Sequence, residues 1–210
     1  MPPPALLQLL PTRDPPMPSA LLVPPGEEPV TLADLKSQLR VETNDEDALL
    51  ISFIAAARAH VEALTRRRLV TQNWRVYLDV WPQRSRASPF GRVVELPLAP
   101  VARVLAIRVY DELGVAQIVE PQQYRLDQAH VPPRLIVDGV GRQPGRNGNG
   151  IEIDVVAGYG DAALVPAPLK QAILRLAALW FEHRHDSDIA NLAPTPPVVD
   201  ALIAPYRVLW

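Results

Sequence analysis

The sequence contains no cysteine among its 210 residues, and this absence excludes several kinds of chemistry at once. Without thiols there is no disulfide, no thiolate zinc site and no cysteine nucleophile. Lysine is also scarce: Lys36 and Lys170 are two of the 21 basic residues, and the other 19 are arginine. The formal net charge of −2 lacks the basic excess typical of a dedicated duplex-DNA binder. Specific DNA binding is therefore not the expected primary function.

The N-terminal segment lacks both a basic region and a long apolar run, so we expect neither a signal peptide nor a membrane span there. It has many prolines instead: ten of the 24 lie in residues 1–30. Proline fixes φ and removes a backbone donor, so residues 1–24 are predicted to form an extended arm. Such an arm can be a loose tail or can lie on a neighbouring subunit, and both alternatives stay open.

Two stretches carry the spacing of buried helix faces. The first runs over about residues 31–66, where Thr31 with Asp34 forms an approximate capping box and Asn44 can cap a second, longer helix. That longer helix carries apolar residues at spacings of four and three, namely Leu50, Ile54, Ala57, Val61 and Leu64. The second stretch, about residues 166–185, is apolar on most sides. It is expected at the centre of a bundle, at a subunit interface, or both.

Between these helices, about residues 70–156 are predicted to form a β-rich insertion. Its last strand alternates, with Ile151, Ile153 and Val155 facing inward and the carboxylates Glu152 and Asp154 facing outward. Two carboxylates on one face can be a glycosidase pair, but they are more often the solvated side of a sheet. Residues 82–91 and 138–150 are predicted loops.

Other candidates for chemistry have simpler explanations. Gly158 and Gly160 precede a helix, as in a phosphate-binding loop, but two prolines intervene without any lysine or hydroxyl, so they are predicted to turn a corner. His183, His185 and Asp186 lie close in sequence, yet a helix would point the two histidines apart. We therefore predict no catalytic residue, no cofactor and no metal.

Four short motifs occur together in a particular order, and they carry a resemblance. These are PVTLADLK at 29–36, VEALT at 61–65, AGYG at 157–160 and PYR at 205–207. Together they resemble the head–tail connector (adaptor) proteins of long-tailed phages and of gene transfer agents. The resemblance extends over about residues 25–80 and 151–210.

The resemblance implies an α+β fold, mainly an α-helical bundle with an inserted antiparallel β-region, in which residues 25–210 form one connector domain. It further implies an oligomeric ring, usually of twelve copies, beneath the portal protein in the neck of a virion or phage-like particle made in the bacterial cytoplasm. The ring would extend the channel through which DNA passes without specific binding. It would also dock the next tail-side component, a stopper or tail terminator, with no membrane involved.

The same resemblance suggests where partners bind. The C-terminal tail, 198–210, would reach towards the portal through Pro205, Tyr206, Arg207, Val208, Leu209 and Trp210. Alternatively, Tyr206 and Trp210 fold back on their own bundle. The loop that carries Arg142 and Arg146 would face either the DNA channel or the next ring.

Two other function classes remain as alternatives at this point. One is another phage morphogenesis role, a tail-completion or DNA-packaging factor. The other is an enzyme with an unrecognised site in the 82–150 region. The sequence does not distinguish an infectious phage from a gene transfer agent.

Overall fold

The computed structural model describes residues 17–83, 91–138, 143–184 and 195–208. Over these residues the chain forms eight β-strands and four α-helices. In chain order they are β1 (Ser19–Val23), α1 (Leu32–Leu39), α2 (Asp47–Thr65), β2 (Gln72–Leu78), β3 (Arg92–Glu95), β4 (Val101–Tyr110), β5 (Ala116–Ile118), β6 (Tyr124–Asp127), β7 (Arg134–Val137), β8 (Ile151–Ala157), α3 (Ala167–Glu182) and α4 (Pro197–Ile203).

The strands form two antiparallel sheets. The larger has the order β1-β2-β8-β4-β5, and the smaller has the order β3-β7-β6. Strand β8 is central in the larger sheet, and its Ile151, Ile153 and Val155 are completely buried, as the alternation predicts. They pack in a cluster with Trp81 and with residues of both sheets. This cluster is the core of the β-region.

The helices build a second hydrophobic cluster around α2 and α3. Leu50, Ile54, Ala57 and Val61 of α2 are buried and Leu64 is partly buried against the same cluster, which confirms the predicted stripe. Helix α3 begins just after Pro166 and carries seven buried residues, so it is the most enclosed helix of the described chain. The prediction that prolines begin this helix is confirmed.

The start of α1 is confirmed in detail, whereas the predicted start of α2 is wrong. The Thr31 hydroxyl accepts from the Asp34 N–H at 3.1 Å, and Asp34 Oδ2 accepts from the Thr31 N–H at 2.9 Å. Asn44 does not cap α2: its side-chain oxygen instead accepts from Lys36 Nζ at 2.7 Å. Lys36 also pairs with Asp47, so a contact between the two helices replaces the local cap.

Helix α2 is apolar enough, and long enough, to span a membrane by length and composition alone. Its mean hydropathy is 1.4 over an 18-residue window, of which 33% is buried. The buried part is the stripe that packs on α3 and α1. Apolar residues on the other side, including Leu49 and Ile51, are exposed in the single chain.

The prediction of a mainly helical bundle is wrong. Strands occupy much of the region between α2 and α3 and form their own core, so helices and sheets are comparable parts of one α+β architecture. The β-region is larger than the sequence indicates because β3 and β7, which form much of the second sheet, are only four residues long. Their apolar residues alternate over too short a distance to suggest a sheet.

A further strand lies inside the predicted proline arm. Ser19–Val23 pairs antiparallel with β2, and the Pro18 carbonyl accepts from the Tyr77 N–H at 3.0 Å. The five residues between Pro18 and Pro24 contain no proline, so each keeps its backbone donor. The arm is therefore an edge strand over these residues, and residues 1–16 lie outside the described chain.

Candidate functional site: the C-terminal segment and the outer sheet face

The C-terminal segment begins with the short helix α4. Val199 and Ile203 are buried against α3 and α2, and the chain then makes a 3-10 turn over Ala204–Tyr206 that contains Pro205. The Arg207 guanidinium pairs with the carboxylate of Asp200, seven residues earlier in α4. These contacts attach the segment to the helical layer and set the direction in which it leaves α4.

The residues after this turn lie along the end of α2. The Tyr206 carbonyl accepts from Arg67 Nε at 2.6 Å, and the Val208 N–H donates to the Thr65 carbonyl at 3.0 Å. Val208 is only 4% exposed, whereas Tyr206 and Arg207 are partly exposed. Tyr206 packs against the helical cluster. Of the six tail residues singled out in the sequence, Leu209 and Trp210 lie outside the described residues.

Arg67 joins this segment to the AGYG corner. Besides binding the Tyr206 carbonyl, it hydrogen-bonds the hydroxyl of the half-buried Tyr159, whose pKa is nevertheless raised by burial. Gly158 has φ +123°, and a Cβ there would lie 2.5 Å from the Val70 carbonyl oxygen. The chain therefore turns at Gly158 because the end of β8 lies against the backbone that follows α2. This close contact, rather than phosphate binding, explains the glycine.

Glu62 forms a buried polar contact between the helical layer and the sheet. Its carboxylate is 4% exposed and accepts from the Leu69 N–H at 2.8 Å and from Gln72 Nε2 at 3.0 Å. Arg58 binds the other oxygen at 3.2 Å. Burial raises the pKa of Glu62, although the Leu69 N–H and the nearby arginines favour the charged form. The carboxylate thus holds the chain as it leaves α2.

The three arginines after α2 have partners of their own. Arg66 ends the helix in the left-handed conformation with φ 56°, and Arg67 binds the tail as described above. Arg68 lies 4.2 Å from the centre of the Trp74 ring and within 3.9 Å of Glu62. These contacts are more specific than a general interaction of positive charge with the C-terminal end of the helix dipole.

The outer face of the larger sheet carries a cluster of ion pairs. Arg75 binds Asp154 through two hydrogen bonds of 2.6 and 3.0 Å, and Arg108 binds the same carboxylate at 2.6 Å. Arg75 also pairs with Glu152 at 3.0 Å, and the Tyr110 hydroxyl donates to Glu152 at 3.0 Å. The two acids face away from the core as predicted, but these side chains cover them, so they are buried rather than solvated.

The electrostatics of this cluster do not suit Asp154 to the role of a general acid. Burial raises the pKa of Asp154, but the hydrogen bonds from Arg75 and Arg108 outweigh burial and hold the pKa below its ordinary value. A glycosidase requires one carboxyl of the pair to stay protonated near neutral pH. Asp154 instead remains ionised between two arginines, so the cluster neutralises charge on the sheet.

The loop before β8 is attached to the sheet over its described half. The Gly145 N–H donates to the Tyr110 carbonyl at 2.9 Å, and the Asn149 N–H donates to Asp79 Oδ1 at 2.7 Å. The Arg146 guanidinium lies 5.1 Å from the centre of the Tyr110 ring. Arg146 thus extends the cationic part of the outer face, whereas Arg142 lies outside the described residues.

The histidines do not converge on a metal site within the part of the chain that the structure describes, where no group of three or more metal-binding residues occurs. His60 Nε2 lies 3.2 Å from Thr195 Oγ1 and its ring packs edge-on against Trp180. His130 Nδ1 lies 2.9 Å from the Pro132 carbonyl oxygen. His183 ends α3, and His185 and Asp186 lie outside the described residues.

Sequence reasoning missed Glu62, Arg67 and the arginines over the acids. Glu62 follows Val61 of the apolar stripe in α2, and a charged residue next to a buried stripe is a sequence signal for a buried ion pair. Arg75 and Arg108 flank Asp154 only because β2 and β4 pair with β8, and that register cannot be derived from one strand alone.

The chain is similar to one family of phage proteins and to solved structures of one kind of particle. Residues 29–89 match the family model for phage gp6-like head–tail connector proteins. A chain of the structure described as "Neck of empty GTA particle computed with C6 symmetry" is 32% identical with a TM-score of 0.75, over 92% of this chain and 97% of that chain.

Two further structures agree. A chain of "Virion of native gene transfer agent (GTA) particle" is 31% identical with a TM-score of 0.74, and covers 92% of this chain and 97% of that chain. A chain of "Neck of native GTA particle computed with C12 symmetry" is 33% identical with a TM-score of 0.64. The match covers 88% of this chain and 95% of that chain. No curated protein matches the sequence.

Proposed function

This chain belongs to the phage gp6-like head–tail connector family, and we propose that it acts as a structural head–tail adaptor in the neck of a phage-like particle. One observation carries the proposal: a neck chain of a gene transfer agent is 32% identical to this chain and covers 92% of it. A match of this extent includes helices and strands alike. The sequence resemblance to connector proteins is confirmed.

The proposed adaptor works as a ring of identical copies. The neck structures to which the chain is similar are described with C6 and C12 symmetry, and a ring of twelve copies is compatible with both. Cyclic symmetry joins copies head to tail, so each copy contributes two different surfaces. Exposed apolar side chains such as Leu49 and Ile51 on α2 are candidates for contacts that a ring would bury.

In this proposal the C-terminal segment binds the portal protein. Val208 is buried and hydrogen-bonded to the end of α2, so the segment leaves the helical layer in a defined direction. Tyr206 and Arg207 are partly exposed beside it, and tyrosine and arginine are enriched among residues that dominate binding energy. Arg207 is held by Asp200, which reduces the conformational entropy lost on binding.

The charge distribution suits a wall along which DNA slides. Arg75 and Arg108 are the arginines most embedded in the outer sheet face, and both are paired with carboxylates. Paired arginines are less available to phosphates, and the net charge of −2 adds no attraction. We expect DNA to pass the ring without specific binding, and the loop that carries Arg146 to face the channel or the next ring.

The proposal is tested by mixing the purified protein with its cognate portal and measuring the mass of the complex. We expect about one copy per portal subunit. Two shortened chains identify the contact: one ends at Val208 and keeps every described bond of the segment, and the other ends at Ala204 and loses the bonds to Arg67 and Thr65. Thermal unfolding of each shortened chain shows whether the fold survives the deletion.

The outcomes separate the alternatives. Loss of portal binding in both folded variants locates the contact at Leu209 and Trp210, whereas loss only in the shorter one locates it at Pro205–Val208. Binding by both locates the contact elsewhere. If the full-length chain binds DNA ends or ATP and not the portal, the adaptor proposal is wrong and a packaging role replaces it.

A further inference from the structure

The two edges of the larger sheet are unusually apolar. Strand β1 at one edge exposes Leu21, Leu22 and Val23, and Leu21 is 45% exposed. At the other edge, Leu113 and Val115 precede β5 and Ile118 ends it, with exposures of 88%, 56% and 57%. Neither residues 19–23 nor residues 113–119 contain a charged side chain. Within the described residues, each edge strand therefore has one side without a neighbouring strand, and each edge also carries exposed aliphatic side chains.

The smaller sheet provides a comparison within the same molecule. Its edge strands are β3 and β6, and each carries one positive and one negative residue: Arg92 and Glu95 in β3, Arg125 and Asp127 in β6. Charges on an edge strand are a common way to prevent pairing with another chain. Both edge strands of the larger sheet lack charged residues, and their exposed aliphatic side chains favour a partner that covers them.

We propose that β5 of one copy pairs with β1 of the next copy, so that the larger sheets join into one sheet around the ring. This inference rests on the ring assembly proposed above. A head-to-tail ring needs two complementary surfaces on opposite sides of each copy, and the two edges of one sheet meet that need. The occupant of each edge is therefore a second copy of this chain.

Strand directions agree with this arrangement. Each neighbouring pair in the larger sheet is antiparallel, so β1, β8 and β5 run in the same direction. Copies related by a small rotation about a ring axis keep their strand directions nearly unchanged. The new contact is therefore a parallel pairing, short because β5 has three residues, with the aliphatic side chains of both edges packed beside it.

The absence of cysteine makes the proposal directly testable by cross-linking. Leu21 lies opposite Trp74, and Gln117 lies opposite Val109, so both point to the core-side face of the sheet. Within one copy these two positions are separated by four strand spacings, about 19 Å at ~4.8 Å each. A bis-maleimide shorter than this separation cannot bridge them within one copy, but it can bridge them between paired edges.

The experiment uses the double variant Leu21→Cys with Gln117→Cys, assembled on the portal and treated with the short bis-maleimide. We expect a ladder of covalent oligomers on a denaturing gel, reaching the number of copies in the ring. The matched control is Leu21→Cys with Val131→Cys, since Val131 is 54% exposed but lies at the turn between β6 and β7. The control is expected to give no ladder.

The experiment distinguishes a failure of the proposed edge pairing from a failure of the proposed ring. A full-mass complex of the double variant without a ladder overturns the edge pairing and leaves the adaptor function intact. Equal ladders in both variants also overturn it, because the contact would not be specific to the edges. If the unmodified chain forms no ring on the portal, the proposed function fails first and the edge pairing fails with it.

A second pair of variants tests the same contact without cross-linking. Leu21→Lys and Ile118→Lys each place a charge on one edge, and both positions are exposed, so the fold is expected to persist. Each variant alone should lose ring formation, whereas an equal mixture should give a heterodimer through the two unaltered edges. Rings of normal mass from either variant alone would contradict the proposal.

Discussion

Glu62 is the most buried carboxylate among the described residues, and it accepts hydrogen bonds from a backbone N–H, an amide and an arginine. These contacts tie the end of α2 to the beginning of β2. A buried carboxylate is tolerated only when it is fully paired, because an unpaired buried charge is costly. At the scale of single residues, the protein thus uses charge to join its two cores rather than to do chemistry.

Replacing Glu62 by alanine is expected to lower the free energy of unfolding by about 3–5 kcal/mol, because it leaves the buried Leu69 N–H without its acceptor and leaves Arg58 with Glu28 as its remaining ion-pair partner among the described residues. Glu62→Gln keeps a hydrogen-bond acceptor in place and should lower the free energy of unfolding by less. Urea unfolding measures the free energy of unfolding of both variants. Glu42→Ala is the control at an exposed position, with an expected change within about 0.5 kcal/mol. Equal effects at positions 62 and 42 would contradict this role.

Asp154 predicts a dependence of stability on pH. Its pKa in the folded state lies below the ordinary value of 3.8, so its contribution to stability is present above that value and is lost as the pH falls through the folded pKa. Asp154→Asn should therefore cost about 2–4 kcal/mol at pH 7. The difference from wild type should shrink below pH 4.

Urea unfolding of wild type and Asp154→Asn at pH 7 and at pH 3 measures this change. Asp45→Asn, at an exposed carboxylate, is the control and should show little difference at either pH. A cost at position 154 that is the same at both pH values would mean that the ion pairs with Arg75 and Arg108 do not contribute the stability assigned to them.

At the scale of elements, the AGYG corner is the place where strands, helices and tail meet. The Gly158 N–H donates to the Pro100 carbonyl at 3.0 Å, the Tyr159 N–H donates to the Leu69 carbonyl at 2.9 Å, and Arg67 links Tyr159 to the C-terminal segment. A change at this corner should therefore affect the tail as well as the sheet.

Gly158→Ala is expected to destabilise the protein by about 2–4 kcal/mol, since the position combines a positive φ with a carbonyl oxygen 2.5 Å from the new Cβ. Gly148→Ala is the matched comparison: its φ is +79°, but nothing lies within 4 Å of the new Cβ, so only the backbone cost of about 1 kcal/mol should remain. Thermal or urea unfolding measures both. A larger loss at Gly148 than at Gly158 would contradict the close approach described here.

The elements that the sequence predicts well are those with long, local patterns. The α2 stripe and the alternation of β8 extend over seven residues or more, and both are as predicted. Strands β1, β3 and β7 have four or five residues beside proline-rich or irregular stretches, so the pattern is too short to identify them. The Asn44 cap failed because Lys36, eight residues away, competes for its oxygen.

The candidate site was predictable only in part, because its contacts depend on distant segments. The aromatic and basic residues of the tail were recognised, but Arg67 reaches the Tyr206 carbonyl across 139 positions of sequence. The ion pairs over Asp154 depend on the order of strands in the larger sheet. Such contacts follow from the fold, which local periodicity does not determine.

At the scale of the whole molecule, two hydrophobic cores lie on either side of a polar junction, and exposed apolar residues remain at the sheet edges and on α2. Exposed apolar surface of this kind is expected where a chain works as part of an assembly. The family membership, the neck structures and these surfaces agree on a role that depends on contacts with other copies and with neighbouring proteins.

The most direct test of this role is electron microscopy of particles made by cells that lack this chain, alongside cells in which it is restored. We predict heads and tails that are each complete but remain separate, and joined particles when the wild-type chain is supplied. Particles with heads joined to tails in the absence of the chain would show that it is not the head–tail adaptor.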